Sequence, residues 1–139
     1  MPTNISIIGA GGHCKVVIDA LLSSNSQYEI SVYDSDPLKI GTTILGIPIT
    51  QLQDFKMLDA EVFVAIGDNE SRAKITGEVL ESGKIIATII HKDAVAASSS
   101  TIGSGTFVAA LAVVSASATV GNGAIINHRA IVDHDCSIG

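Results

Sequence analysis

The chain has 139 residues and a formal charge of −6, enough for one domain or two small ones. Eight basic residues against fourteen acidic ones, with no basic cluster, exclude nucleic acid as a partner. The mean hydropathy of +0.46 is high, yet no apolar run approaches the roughly 20 residues that cross a bilayer, so the apolar content is assigned to core or to a face that another subunit covers.

The first segment, Asn4–Gly9, reads as a buried strand, and the chain enters it without a basic stretch or cleavage site. No signal peptide is expected. The two cysteines, Cys14 and Cys136, are therefore expected as reduced thiols in the cytoplasm. His13–Leu22 reads as a helix with Val16, Val17, Ala20 and Leu21 on its apolar face. Glu29–Tyr33 is a second strand, residues 34–46 are polar and turn-rich, and Ile47–Ile49 is a short extended piece. Ala60–Ile66 is a third strand. Asn69–Ser82 is a helix capped by Asp68 or Asn69 and stopped by Gly83, and Lys84–Ile90 is a fourth strand. Strands that alternate with helices predict a parallel sheet with right-handed crossovers. About 85 residues are too few for a full dinucleotide-binding fold with its two halves.

The turn Gly9-Ala10-Gly11-Gly12 lies between a strand and a helix. There, glycine lets an anion approach backbone N–H groups at the helix N-terminus. The third glycine of the dinucleotide fingerprint is Cys14, so a ligand-free tight turn is the competing reading. Asp34 and Asp36 follow the second strand, where an acid commonly meets a ribose or a base. The alternative for them is a solvated turn beside Pro37. The turn 65–69, with Gly67 and Asn69, ends the third strand on the same edge. Three loops converging at the carboxyl edge predict a nucleotide pocket.

From Ile90 onward the pattern changes to a period of six. Ile90, Ala96, Ile102, Val108, Val114, Val120, Ile126, Val132 and Ile138 are spaced six apart, and a small residue follows each after four positions up to Cys136. A helix has no reason to repeat every six residues, whereas a triangular parallel β-coil does. The expected domains are 1–89 and 90–139, the second a prism that breaks off at about two and two-thirds coils. Residues 127–136 are its only stretch dense in polar groups. His128 and His134 are expected at successive corners, with Asp133 and Asp135 beside His134 to orient its ring or hold its charge. A polar corner facing solvent is one alternative. A zinc set shared between subunits is another, but no third ligand is visible and no metal is expected.

Four segments, IIGAGGHCKVV at 7–17, VAIGDNESR at 64–72, IIHKDA at 89–94 and NHRAIVDHDCSIG at 127–139, together resemble the sugar O- and N-acetyltransferases of the sialic-acid O-acetyltransferase type. These include bacterial enzymes that acetylate UDP-4-amino sugars. The resemblance implies a small Rossmann-like domain that holds a nucleotide sugar, a left-handed parallel β-helix, and a homotrimer with active sites between neighbouring prisms. It implies acetyl-CoA as cosubstrate and a catalytic base at His134, hydrogen-bonded by Asp135, with Asn127 near the reacting centre. The expected activity is acetyl transfer to the amine of a nucleotide-linked amino sugar in glycan biosynthesis. An O-acetyltransferase on sialic acid and a non-catalytic binding or assembly module are the alternatives. On the acceptor side, His13 with Gly9, Gly11 and Gly12 would face phosphates or sugar, and Asp34 and Asp36 the nucleoside. Members of this family carry further coils, a later histidine and much of the acetyl-CoA site beyond the segment that ends at residue 139. His128 and Arg129 replace a pair that is usually small or neutral.

Overall fold

The computed structural model describes residues 1–139 as two compact units, Met1–Ile86 and Ala87–Gly139. In the first unit, β1 (Thr3–Ile8), β2 (Tyr28–Asp34), β3 (Thr43–Ile44), β4 (Ile47–Gln51), β5 (Glu61–Val64) and β6 (Ile85–Ile86) form one sheet in the order β3-β4-β2-β1-β5-β6. All pairs are parallel except β3–β4. β1 pairs on both edges and lies in a sheet with a helix on each face, and a strand covered on both faces reads as a mostly apolar run. Ile5, Ile7 and Ile8 are buried, and so is Ser6 between them. The Ser6 hydroxyl donates to Asp59 Oδ2 at 2.8 Å and accepts from the Asp59 N–H at 2.9 Å, which satisfies a polar group that would otherwise destabilise the core.

Helix α1 (Gly12–Ser23) joins β1 to β2, and α2 (Asn69–Glu81) joins β5 to β6. The two crossovers leave the sheet centre in opposite directions, so their common right-handedness puts the helices on opposite faces. Val79 and Ile75 of α2 pack with Ile8, Val62 and Ile86. Ile7 pairs with Phe63, and alternation along the strand turns both to the other face. Of the two expected caps for α2, Asp68 is the one used: its carboxylate accepts from the Ser71 N–H at 2.8 Å. Gly83, with φ of 86°, follows the helix end.

Two local expectations change. The polar stretch 34–46 contains a strand, β3, whose hairpin to β4 turns at Leu45 and Gly46 with φ of 47° and 80°. Two-residue hairpin loops of this mirror-image kind are usually signalled by Asn-Gly or Asp-Gly, and a leucine gives no such warning. The run Lys84–Ile90 is not one strand. Ile86 pairs with Val62 in the sheet, while Ile90 pairs with Val108 in the second unit. The two compact units divide between Ile86 and Ala87, where the two ends of one apolar run find different ladders of backbone partners.

The second unit contains nine two-residue strands: β7 (Ile89–Ile90), β8 (Val95–Ala96), β9 (Thr101–Ile102), β10 (Phe107–Val108), β11 (Val113–Val114), β12 (Thr119–Val120), β13 (Ile125–Ile126), β14 (Ile131–Val132) and β15 (Ser137–Ile138). They stack as three parallel sheets, β7-β10-β13, β8-β11-β14 and β9-β12-β15. The coil thus carries three rungs on each of three faces. Val108, Val114, Val120, Ile126 and Val132 form its core with Ala112, Ala118 and Ala124. These five aliphatic residues sit where the period of six puts them, whereas Ile90 and Ile138 at the two ends of the coil are exposed.

The corners repeat as well. Gly105, Leu111, Ser117, Gly123, Arg129 and Asp135 are six apart, and all have φ between 58° and 74°. Four of these six are not glycine, so the coil imposes a left-handed conformation on side chains that disfavour it.

Candidate functional site

The order of the sheet reverses between β1 and β5, and crevices at such switch points are the usual ligand sites of open parallel sheets. Here the carboxyl edge opens into a cleft of about 860 Å³. It is lined by the 9–13 turn, by Asp34 and Lys39 after β2, by Ile66 and Gly67 after β5, and by Leu52 and Phe55. The first and third turns touch. A Cβ on Gly9, whose φ is 103°, would lie 2.8 Å from the Ala65 carbonyl oxygen. Glycine is needed there both for its conformation and for that approach. Gly11 is the N-cap of α1 with extended backbone and no side-chain cap, so no side chain of its own covers the helix N-terminus where an anion would bind.

His13 lines the cleft and is half-buried. Burial, and then the nearby Arg72 guanidinium, hold its imidazole below its ordinary pKa. A neutral ring can donate one hydrogen bond and accept another. Asp34 is engaged by groups of the protein itself. Its Oδ2 accepts from the Ala10 N–H at 2.8 Å and from Lys39 Nζ at 3.4 Å, and its Oδ1 accepts from the Asp36 N–H at 2.8 Å. The carboxylate braces the glycine turn against the end of β2. Burial pushes its pKa up, but the N–H groups of Asp36 and Ala10 together with Lys39 outweigh this and hold it below the usual carboxylate value.

A prediction follows from that balance. The folded-state value lies below the unfolded one, so the stabilisation is complete above the unfolded pKa of about 3.9 and is lost as pH falls through the folded value. Asp34→Asn is expected to cost about 1–3 kcal/mol at neutral pH and to flatten the acid limb of a pH–stability profile measured by urea unfolding. An unchanged acid limb would show that Asp34 carries no such load.

The other expected residues divide. Gly9, Gly11, Gly12, His13, Asp34 and Gly67 come together in the cleft, whereas Asp36 and Asn69 do not line it. Asp36 accepts from the Leu38 N–H at 3.0 Å. Asn69 Oδ1 accepts from Arg72 Nη2 at 2.7 Å. Lys39 and Arg72 were not singled out from sequence. The signals that could have found them are a lysine five residues after the strand-ending acid and an arginine closing the segment GDNESR. Cys14, directly after His13, is fully buried. Burial first, and then Asp34, push its thiol up to about 12, against the opposing pull of Lys39, so it is inert packing rather than a nucleophile.

In the second unit, His134 Nδ1 lies 2.8 Å from Asp135 Oδ2, and the His134 N–H donates to Asp133 Oδ1 at 2.7 Å. Adjacent side chains meet here because Asp135 occupies the left-handed corner, with φ of 59°. Both are open, with side chains 71% and 73% exposed. Asn127 Oδ1 accepts from the His128 N–H at 2.9 Å and lies 3.0 Å from His128 Nδ1. No group of three His, Cys, Asp or Glu side chains is placed to hold a metal ion, and no helix is long and apolar enough to cross a membrane.

Residues 4–79, the whole glycine-turn cleft included, match the family described as the PglD N-terminal domain. The chain belongs to the PglD N-terminal domain family. The UDP-N-acetylbacillosamine N-acetyltransferase of Bacillus subtilis (strain 168) is 32% identical over 113 residues, which cover 77% of this chain and 51% of that protein. The structure of PerB from Caulobacter crescentus in complex with CoA and GDP-perosamine superposes with a TM-score of 0.86 at 36% identity, over 96% of this chain and 64% of that one. The acetyltransferase domain of PglB from Neisseria gonorrhoeae in complex with acetyl coenzyme A gives a TM-score of 0.90 at 33% identity, over 99% and 67%. The chain thus spans about half the length of the curated relative and about two thirds of these solved ones. The resemblance carried by the four sequence segments to UDP-4-amino-sugar N-acetyltransferases is borne out. For this PglD-type unit, the family match covers the cleft, and the structural likeness extends over the coil.

Proposed function

We propose that this chain supplies the acceptor-binding cleft and the catalytic base of an acetyl-CoA-dependent N-acetyltransferase that modifies the amine of a nucleotide-linked amino sugar. The observation that carries the reading is the cleft: a glycine turn, a helix N-terminus without a side-chain cap and a neutral histidine gathered at the switch point of a parallel sheet. Such a place suits a diphosphate, which takes backbone N–H donors, and the Asp34 carboxylate that shares the cleft is already engaged by Ala10, Asp36 and Lys39. The Bacillus subtilis relative and the perosamine enzyme of Caulobacter crescentus are N-acetyltransferases, which favours an amine over a hydroxyl as acceptor.

In the reaction, Asp135 holds the proton on His134 Nδ1, and Nε2 then carries the lone pair. The amine nitrogen forms a bond to the thioester carbonyl carbon while Nε2 takes its proton. The carbon–sulfur bond breaks as the carbonyl re-forms. CoA leaves as thiolate and takes the proton from the imidazolium, so the products are the N-acetyl sugar and free CoA. Both His134 and Asp135 stand open in one chain. A homotrimer built through the coil, which we assign here as a left-handed β-helix, would enclose them with a neighbouring copy and exclude water.

Calorimetric titration with UDP, GDP and CMP tests the cleft without requiring the chemistry. One of the three is expected to bind in the micromolar range, about −8 kcal/mol. No heat from a folded sample with any of them would sink the nucleotide-sugar reading.

A further inference from the structure

We propose that Arg72 is a positioning residue of the cleft, a buried guanidinium fork that holds the turn after β5 in the shape a nucleotide sugar's phosphates meet. The proposal rests on the reading of the cleft as a nucleotide-sugar site. Arg72 is 8% exposed. Its Nη1 donates to the carbonyl oxygens of Ile66 and Gly67, both at 3.0 Å, and its Nη2 to Asn69 Oδ1 at 2.7 Å. Ile66 and Gly67 line the cleft, and their neighbour Ala65 is the residue against which Gly9 packs. One planar group therefore fixes three points of the third turn, and that turn in turn bounds the glycine turn.

The placement breaks two local rules. Arg72 is the fourth residue of α2, so its cation sits at the positive end of the helix dipole, where an acid is favoured. It is also buried, and a buried charge costs stability unless well bonded. A staple of α2 alone would not need a cation there, and local rules broken at a cleft wall mark a functional constraint. Lysine cannot replace it, because one ammonium point does not reproduce the fork that reaches three acceptors at once. The guanidinium also lies close enough to His13 to disfavour its protonation, which links the first and third turns through charge as well as contact.

The test compares Arg72→Met and Arg72→Lys with the unaltered chain. The readouts are calorimetric affinity for UDP and GDP, NMR titration of His13, and thermal unfolding. Arg72→Met is expected to bind its diphosphate roughly 10- to 100-fold more weakly, with the His13 midpoint moved upward. Arg72→Lys is expected to keep the His13 midpoint near the original and still lose affinity. If both variants only unfold at lower temperature, with affinity and His13 midpoint unchanged while folded, Arg72 is merely structural and the proposal is overturned. If Arg72→Met does not fold, Arg72→Lys carries the test, and original affinity in it overturns the proposal. If the unaltered chain binds neither diphosphate, the reading of the cleft fails separately. The amide resonances of Gly9, Gly11 and Gly67 then decide: unchanged positions in Arg72→Lys overturn Arg72's role, and shifted ones support it.

Discussion

His134→Ala is expected to lower the rate of acetyl transfer roughly 10²- to 10⁴-fold, the usual contribution of a positioned general base, while nucleotide affinity stays unchanged. The two halves of this expectation have separate physical grounds. The rate falls because the amine must lose a proton as it becomes a bonded, positively charged nitrogen, and Nε2 of His134 is held for that proton by the 2.8 Å contact of Nδ1 with Asp135. Affinity is expected to stay because the proposed phosphate site is built from residues 9–13 and 66–67 of the first unit, whereas His134 belongs to the second. Stability stays as well: the imidazole is largely exposed, and substitutions at such positions usually shift stability by no more than about 0.5 kcal/mol. The measurement is steady-state release of free CoA thiol, beside calorimetry with the nucleotide that binds. A variant with the original rate would remove His134 from the mechanism. Parallel loss of rate and affinity would show instead that the substitution disturbs the cleft. Asp135→Ala is expected to lower the rate less, since it frees the tautomer but leaves the base.

The largest expected effect on stability is at Gly103. Gly103, Gly121 and Gly139 are spaced eighteen apart and stack on one another. A Cβ on Gly103 would lie 2.6 Å from both the carbonyl carbon and oxygen of Gly121 and would run into the Asn122 side-chain oxygen. Two of these atoms are backbone, held in the ladder where the Gly103 N–H donates to Val120 O at 2.9 Å and the Gly121 N–H to Ile138 O at 2.9 Å. They cannot retreat without breaking rungs. Asn122 Oδ1 is itself engaged, accepting from the Ser104 N–H at 3.0 Å. Gly103→Ala is therefore expected to destabilise the chain by about 3 kcal/mol, the upper end of ordinary overpacking, read as a lower midpoint in urea unfolding. Gly77→Ala is the control. Gly77 lies inside α2 with nothing within 4 Å of a new Cβ, so alanine there is expected to stabilise by roughly 0.5–1 kcal/mol. Equal effects at the two positions would mean that the glycine stack is not tightly packed.

The coil was the most legible part of the chain. Its fold depends on a local repeat, and each residue packs against its own equivalents one turn away, so the period names the partners. Val114 and Val132, eighteen apart, pair in the structure as the spacing demands. The alternation of strand and helix in the first unit was legible for a similar reason, since a doubly covered strand such as β1 is mostly apolar, with Ile5, Ile7 and Ile8 buried. The hairpin at Leu45 was not, because its left-handed turn is imposed by the β3–β4 pairing rather than invited by the residue. The split of Lys84–Ile90 was hidden too, since isoleucines look alike whichever sheet receives them.

For the site, the segment patterns placed His134 beside Asp135 and brought the glycine turn, His13 and Asp34 to one edge. What those residues do was decided by contacts between distant parts of the chain. Asp34 braces Ala10 across 24 positions, and Arg72 reaches back to Ile66 and Gly67 while lowering the pKa of His13. The sequence by itself determined the periods, the turns and the residue types available, because these follow from local geometry and patterning. Only the tertiary structure decided which carboxylate serves the protein's own backbone and which cation stands behind the cleft. Hydrogen bonding and burial act over a few ångströms in space, whatever the separation along the chain.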